Sequence, residues 1–151
     1  MFKDEQELPF YVELLEILEG YENLLKKEKI ESIIKHIQSS YNINEKTMSF
    51  SEKEATKEFI YKKICFLKNE SEKSKILKSR LLNKFSFDSF LSWIFCGVVF
   101  INEGNKIKMK IFNDFFKKYF FEKNLELIKE CLGCEVEFDN TTYDYDCYFN
   151  K

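Results

Sequence analysis

Cysteine and histidine are the residue types best known for metal and redox chemistry, and this chain has five cysteines and one histidine. Cys131 and Cys134 have the C-x-x-C spacing of zinc ligands and of redox dithiols. A structural zinc needs four ligands, and no second pair of this spacing follows. A redox pair normally opens a helix, whereas this one stands where a helical pattern ends at Gly133. We therefore expect ordinary reduced thiols and no metal or cofactor, and we leave open a metal site completed by Cys147.

Other groups that could perform catalysis are sparse. The single imidazole, His36, stands beside Ile33 and Ile37 at the edge of an apolar helical stripe, as a boundary histidine does. With 4 glycines in 151 residues, the chain has no Gly-rich loop of the kind that holds phosphate groups. We expect a protein that is not an enzyme.

Acidic side chains gather at both ends of the chain. Residues 1–22 carry seven acids against one lysine, residues 135–151 carry five acids against one lysine, and residues 23–134 have a net charge of +8. One interpretation is that the ends fold back and neutralise the basic middle. The other is that acids interleaved with tyrosines form a surface for a basic protein partner. The candidate partner-binding residues are Glu135, Glu137, Asp139, Tyr143, Asp144, Tyr145 and Asp146, with Glu13, Glu16 and Glu19 as the fallback.

A ridge of lysines forms the second candidate surface. Lys106, Lys108 and Lys110 alternate with three apolar residues, which predicts a strand with one apolar and one basic face. Basic density is typical of nucleic-acid binding, so these lysines are the alternative, nucleic-acid-binding site. The isoelectric point of about 5.6 favours instead a solvated lysine face. So does the ratio of 23 lysines to one arginine, because arginine binds phosphate better.

The order of elements around this ridge resembles a winged helix-turn-helix over residues 74–121. Residues 90–99 (FLSWIFCGVV) match the end of the third helix and the first wing strand, residues 102–105 match the wing tip, and residues 106–112 match the return strand. The resemblance implies DNA binding through the short helix. That helix offers Asp88, Ser89, Ser92 and Trp93, which are not the side chains that usually read base edges. A protein-interaction use fits better, and the chain is also similar in type to small acidic immunity and inhibitor proteins.

The elements that must position these residues are mostly helices. Long amphipathic patterns and scarce glycine and proline predict a mainly α, α+β fold with about six helices. A central β-hairpin is predicted at 98–101/106–111, and a second hairpin in the C-terminal tail. We expect a single domain over 1–151, comprising a helical part (1–50), a helix and hairpin core (51–133) and an acidic β-like tail (134–151). Without a signal peptide or a membrane-spanning apolar run, we expect a cytoplasmic protein.

Overall fold

The computed structural model describes residues 11–42 and 49–140. It is mainly helical with one small sheet, which confirms the predicted α+β class. The chain divides into two compact units, the first ending at Lys68 and the second beginning at Asn69. The helices and strands are α1 (Tyr11–Glu19), α2 (Lys27–Asn42), α3 (Phe50–Leu67), α4 (Glu72–Arg80), α5 (Phe87–Ser89), β1 (Val98–Glu103), β2 (Lys106–Ile111), α6 (Asp114–Phe116), α7 (Leu125–Leu132) and β3 (Val136–Phe138).

In the first unit, each of the three helices buries one apolar stripe. The stripe follows the 3.6-residue period that the sequence predicts. Its buried members include Leu14, Ile17 and Leu18 on α1, Ile33, Ile34 and Ile37 on α2, and Ile60 and Ile64 on α3.

Two large apolar residues of these helices are exposed instead. Leu15 is 36% exposed and Phe59 is 41% exposed. Each stands one residue away from its helix's buried stripe, and one residue turns the helix by about 100°. The apolar residues therefore follow the helical period. The buried stripe of each helix, however, is centred further from Leu15 or Phe59 than their apolar residue types suggest.

The second unit contains the sheet, whose strand order is β1-β2-β3. β1 and β2 are antiparallel with Phe100 opposite Met109, which confirms the predicted central hairpin. Ile107 and Met109 are buried as expected, and Ile111 is half-buried. On the other face Lys106 is exposed, whereas Lys108 and Lys110 are half-buried rather than fully exposed.

β3 is placed differently from the predicted C-terminal hairpin. It pairs with β2 in parallel, with Ile107 opposite Val136. A parallel neighbour needs a long crossover, and α6 and α7 supply it. Gly133, with a φ of +70°, ends α7 in the left-handed conformation, and the chain then continues into β3. The other arm of the predicted hairpin, at residues 143–147, lies outside the described residues.

Two short helices of this unit continue as π-helical segments, α5 into Phe90–Ile94 and α6 into Lys117–Phe121. Both begin with a side-chain cap: the Ser86 side chain accepts the Ser89 N–H, and the Asn113 side chain accepts the Phe116 N–H.

Aromatic rings join these two segments. The Trp93 ring stacks on Phe120 with 5.4 Å between centroids. Nearby, a Cβ added to Gly97 would lie 1.8 Å from the Trp93 carbonyl oxygen and 2.6 Å from the Phe116 ring. Only glycine fits at this crossing, and the aromatic cluster serves packing here.

Candidate functional site

The fallback ridge on α1 is an exposed surface of mixed character. Glu16 and Glu19 are exposed, and among the described residues no cation lies within ion-pair distance of either. Val12 is 65% exposed and Leu15 is 36% exposed. These four residues have the i, i+3, i+4, i+7 spacing of a single helix face. We call Val12, Leu15, Glu16 and Glu19 the α1 face.

Glu13, the third residue of the predicted ridge, is not part of that face. It is half-buried and lies close enough to Tyr61 to help raise the pKa of the phenol, although burial of the phenol is the larger cause. Both residues belong to the first unit. Glu13 therefore interacts within the unit, whereas Glu16 and Glu19 are exposed.

The described part of the acidic tail is engaged with lysines of its own unit. Glu135 Oε1 lies 3.6 Å from Lys129 Nζ, and Glu137 Oε2 lies 3.5 Å from Lys106 Nζ. Asp139 is half-buried, and its N–H donates to the Met109 carbonyl. The remaining candidates, Tyr143, Asp144, Tyr145 and Asp146, lie outside the described residues.

The lysine ridge is partly neutralised by one acid of the tail and one acid of β1. Besides the Lys106–Glu137 pair, Lys108 Nζ lies 3.3 Å from Glu103 Oε1. One predicted partner-binding residue and one predicted nucleic-acid-binding residue therefore bind each other. This arrangement lowers the positive charge that the ridge offers to phosphate groups.

The cysteines differ in oxidation state. Cys131 and Cys134 are half-buried free thiols, and the Cys131 Sγ donates to the Arg80 carbonyl oxygen at 3.2 Å. Burial raises the pKa of the Cys131 thiol, so it stays protonated at neutral pH. Cys65 is buried and disulfide-bonded, so the expectation that the thiols are reduced is wrong for this residue.

A buried polar network in the second unit is the feature that the sequence analysis missed. Lys78 Nζ lies 2.8 Å from Glu70 Oε2, and neither side chain is exposed. The ammonium also donates to the Phe95 carbonyl oxygen at 2.7 Å. Ser74 Oγ donates to Glu70 Oε2 at 2.6 Å and accepts the Phe100 N–H at 2.9 Å. The network connects α4 to the end of the first π-helical segment and to β1.

The sequence held a signal for this network. Ser74, Leu77, Lys78 and Leu81 have the i, i+3, i+4, i+7 spacing of a buried helix stripe, and two of the four are polar. Buried polar groups require partners, so a lysine on such a stripe indicates a buried acid nearby. All three side chains are enclosed, so the network is out of reach of a substrate.

The described residues show few features of other kinds of site. No group of three or more His, Cys, Asp or Glu side chains in residues 11–42 and 49–140 could hold a metal ion. His36 is half-buried on α2. None of the described helices is long and apolar enough to cross a membrane. No protein-family model, curated protein or solved structure matches the chain.

Proposed function

We propose that this chain is a non-enzymatic protein-binding module of the inhibitor or immunity type, and that it binds a basic partner through the α1 face. The observation that carries the proposal is the composition of that face. Exposed Val12 and Leu15 stand among the exposed carboxylates of Glu16 and Glu19 on one side of a helix. A partner surface with lysine or arginine around an apolar depression would complement it.

The apolar side chains supply the anchors of this contact. Val12 and Leu15 are one turn apart, so both can enter the same depression on a partner. Burying apolar surface contributes about 25 cal/mol per Å² removed from water, before the costs of association. The carboxylates add orientation and a faster encounter with a positive surface. The charge of residues 1–22, seven acids against one lysine, reinforces the preference for a basic partner.

The proposal is tested by capturing partners from the native host with the wild-type chain and with E16K/E19K. We expect a basic protein to be retained by the wild type and lost with the variant. E31K/E122K is the matched control, because it changes the net charge equally at two exposed acids off the α1 face. Titration calorimetry with the purified partner then measures both variants. Equal affinity of the two variants, or a partner without a basic surface, would refute the α1 face.

Inhibition of the partner can be measured separately from binding. A stoichiometric amount of this chain should abolish the activity of the captured partner, and E16K/E19K should fail to do so. V12S/L15S, which keeps the carboxylates, separates the anchors from the charges. We expect it to weaken binding mainly through faster dissociation, because apolar anchors act after encounter.

A further inference from the structure

A groove in the second unit lies beside α4. It has a volume of about 510 Å³, within the range of small-molecule sites. One wall is α4, and the other is the turn of the β1–β2 hairpin together with residues at the end of α7. Its lining combines charged, amide and apolar side chains.

The α4 wall presents two cations with apolar side chains between them. Lys73, Ile76, Leu77 and Arg80 all line the groove and have the i, i+3, i+4, i+7 spacing of one helix face. Lys73 and Arg80 are exposed, and no acid of the described residues lies within ion-pair distance of either. The seven-residue separation places them about 10 Å apart along the helix.

The groove's carboxylate does not cancel these charges. Glu72 Oε2 lies 3.8 Å from Lys75 Nζ, a lysine that is not among the groove residues. The facing wall adds the amide side chains of Asn102 and Asn105, both at exposed positions, and each amide has two hydrogen-bond donors. The groove therefore offers several donors around an excess of positive charge.

The apolar part of the lining lies between and opposite the cations. Ile76 is 38% exposed although it is a large apolar residue, and Leu132 and Ile107 from other elements also line the groove. A ligand that covers Ile76 would remove this surface from water, which favours binding. Positive charge alone would attract any anion, but this combination selects an anion that also has an apolar body.

We propose that this groove binds a small organic anion, with a carboxylate or phosphate on Arg80 and Lys73 and an apolar portion on Ile76. Arg80 is the only arginine of the chain, and its planar guanidinium can donate two parallel hydrogen bonds to either group. Binding of an anion here does not depend on the proposed partner surface.

The test uses three probes that share one ring system: 1-naphthyl phosphate, 1-naphthoate and the neutral 1-naphthylmethanol. Binding to the full chain is followed by amide chemical shifts. We expect the anions to bind saturably, with shifts concentrated on α4 and the hairpin turn, and the neutral probe to bind at least about tenfold more weakly. The stronger of the two anions identifies the preferred headgroup.

Variants test the roles of the cations. R80Q and K73Q should each weaken anion binding about tenfold, and R80K should recover part of the loss, because it keeps the charge without the planar fork. K123Q, at an exposed lysine outside the groove, is the control and should bind like the wild type. Thermal melting should be the same for all four variants, since these side chains are exposed.

Cys134 provides an independent measure of location, because this free thiol lines the groove. A bound anion should slow its alkylation by iodoacetamide, as followed by mass spectrometry, in the wild type and not in R80Q. The proposal is overturned if the neutral probe binds as well as the anions. It is equally overturned if R80Q and K73Q match K123Q, or if the shifts map elsewhere and Cys134 is not protected.

Discussion

Lys78 Nζ lies 2.8 Å from Glu70 Oε2 in a position where neither side chain touches solvent. The pair has further partners, since the ammonium donates to the Phe95 carbonyl and the carboxylate accepts the Ser74 hydroxyl. A buried pair gains its attraction at a large desolvation cost, so its net contribution to stability is small. A shift of α4 on β1 would separate buried charges from their partners, so we expect the pair to favour this one packing position.

The first prediction concerns this pair. K78M leaves the Glu70 carboxylate buried without its cation, and E70L leaves the ammonium without its anion. Each single change should lower the free energy of unfolding by about 3–5 kcal/mol. The double variant E70L/K78M should lose much less than the sum, because no unpaired charge remains. Urea unfolding of the four proteins measures the coupling, and additive losses would show that the pair does not interact.

The pair also predicts a dependence of stability on pH. Burial holds the pKa of Lys78 below its ordinary value of 10.5, with Glu70 opposing the shift. Between the folded and the unfolded pKa, the unfolded chain binds more protons at this lysine, so stability rises with pH through that window. The difference in unfolding free energy between wild type and E70L/K78M should therefore increase from neutral pH towards 10.5. A difference that is flat or falls would contradict the direction of the shift.

Local signals made much of the fold predictable. The turn around Gly104 and the strict alternation of residues 106–111 indicated the hairpin, because both are encoded within a few residues. The caps at Ser86 and Asn113 and the end of α7 at Gly133 are local in the same way. The parallel pairing of β3 depends on a crossover of 24 residues between β2 and β3, and no short pattern specifies it.

The candidate sites were less predictable, for physical reasons. Charge counts showed where acids gather, but they did not show that Glu137 and Lys106 neutralise each other across the sheet. Predicting that Val12 and Leu15 are exposed requires knowing where the buried stripe of α1 is centred. The sequence pattern of one helix does not fix that centre. The groove combines α4 with a hairpin turn some 20 residues away, a proximity that only tertiary packing creates.

The second strand of the hairpin gives a third prediction. Met109 is fully buried opposite Phe100, so M109K removes apolar packing and forces an ammonium inward. We expect a loss of about 2–4 kcal/mol in unfolding free energy, measured by urea unfolding. K106M, the reverse change at an exposed neighbour, should cost less than about 1 kcal/mol, because it removes only a surface ion pair. Similar losses in the two variants would contradict the register.

The last prediction tests the nucleic-acid alternative through the lysine ridge. Glu137 and Glu103 already hold Lys106 and Lys108, and phosphates would have to compete with both carboxylates. We therefore expect a gel-shift series at low salt to retain neither duplex nor single strand.

Retention would favour the alternative only if it behaved as phosphate contact does. Its affinity would fall with salt by a slope of about −0.9 per contact on duplex, and K106A/K108A/K110A would weaken binding to all sequences alike. E103Q/E137Q adds the decisive comparison, because it frees two ridge lysines without removing a cation. If the ridge binds phosphate, this variant must bind more tightly than the wild type. If it binds equally or not at all, the lysines serve the sheet and its acidic neighbours, and the nucleic-acid interpretation is abandoned.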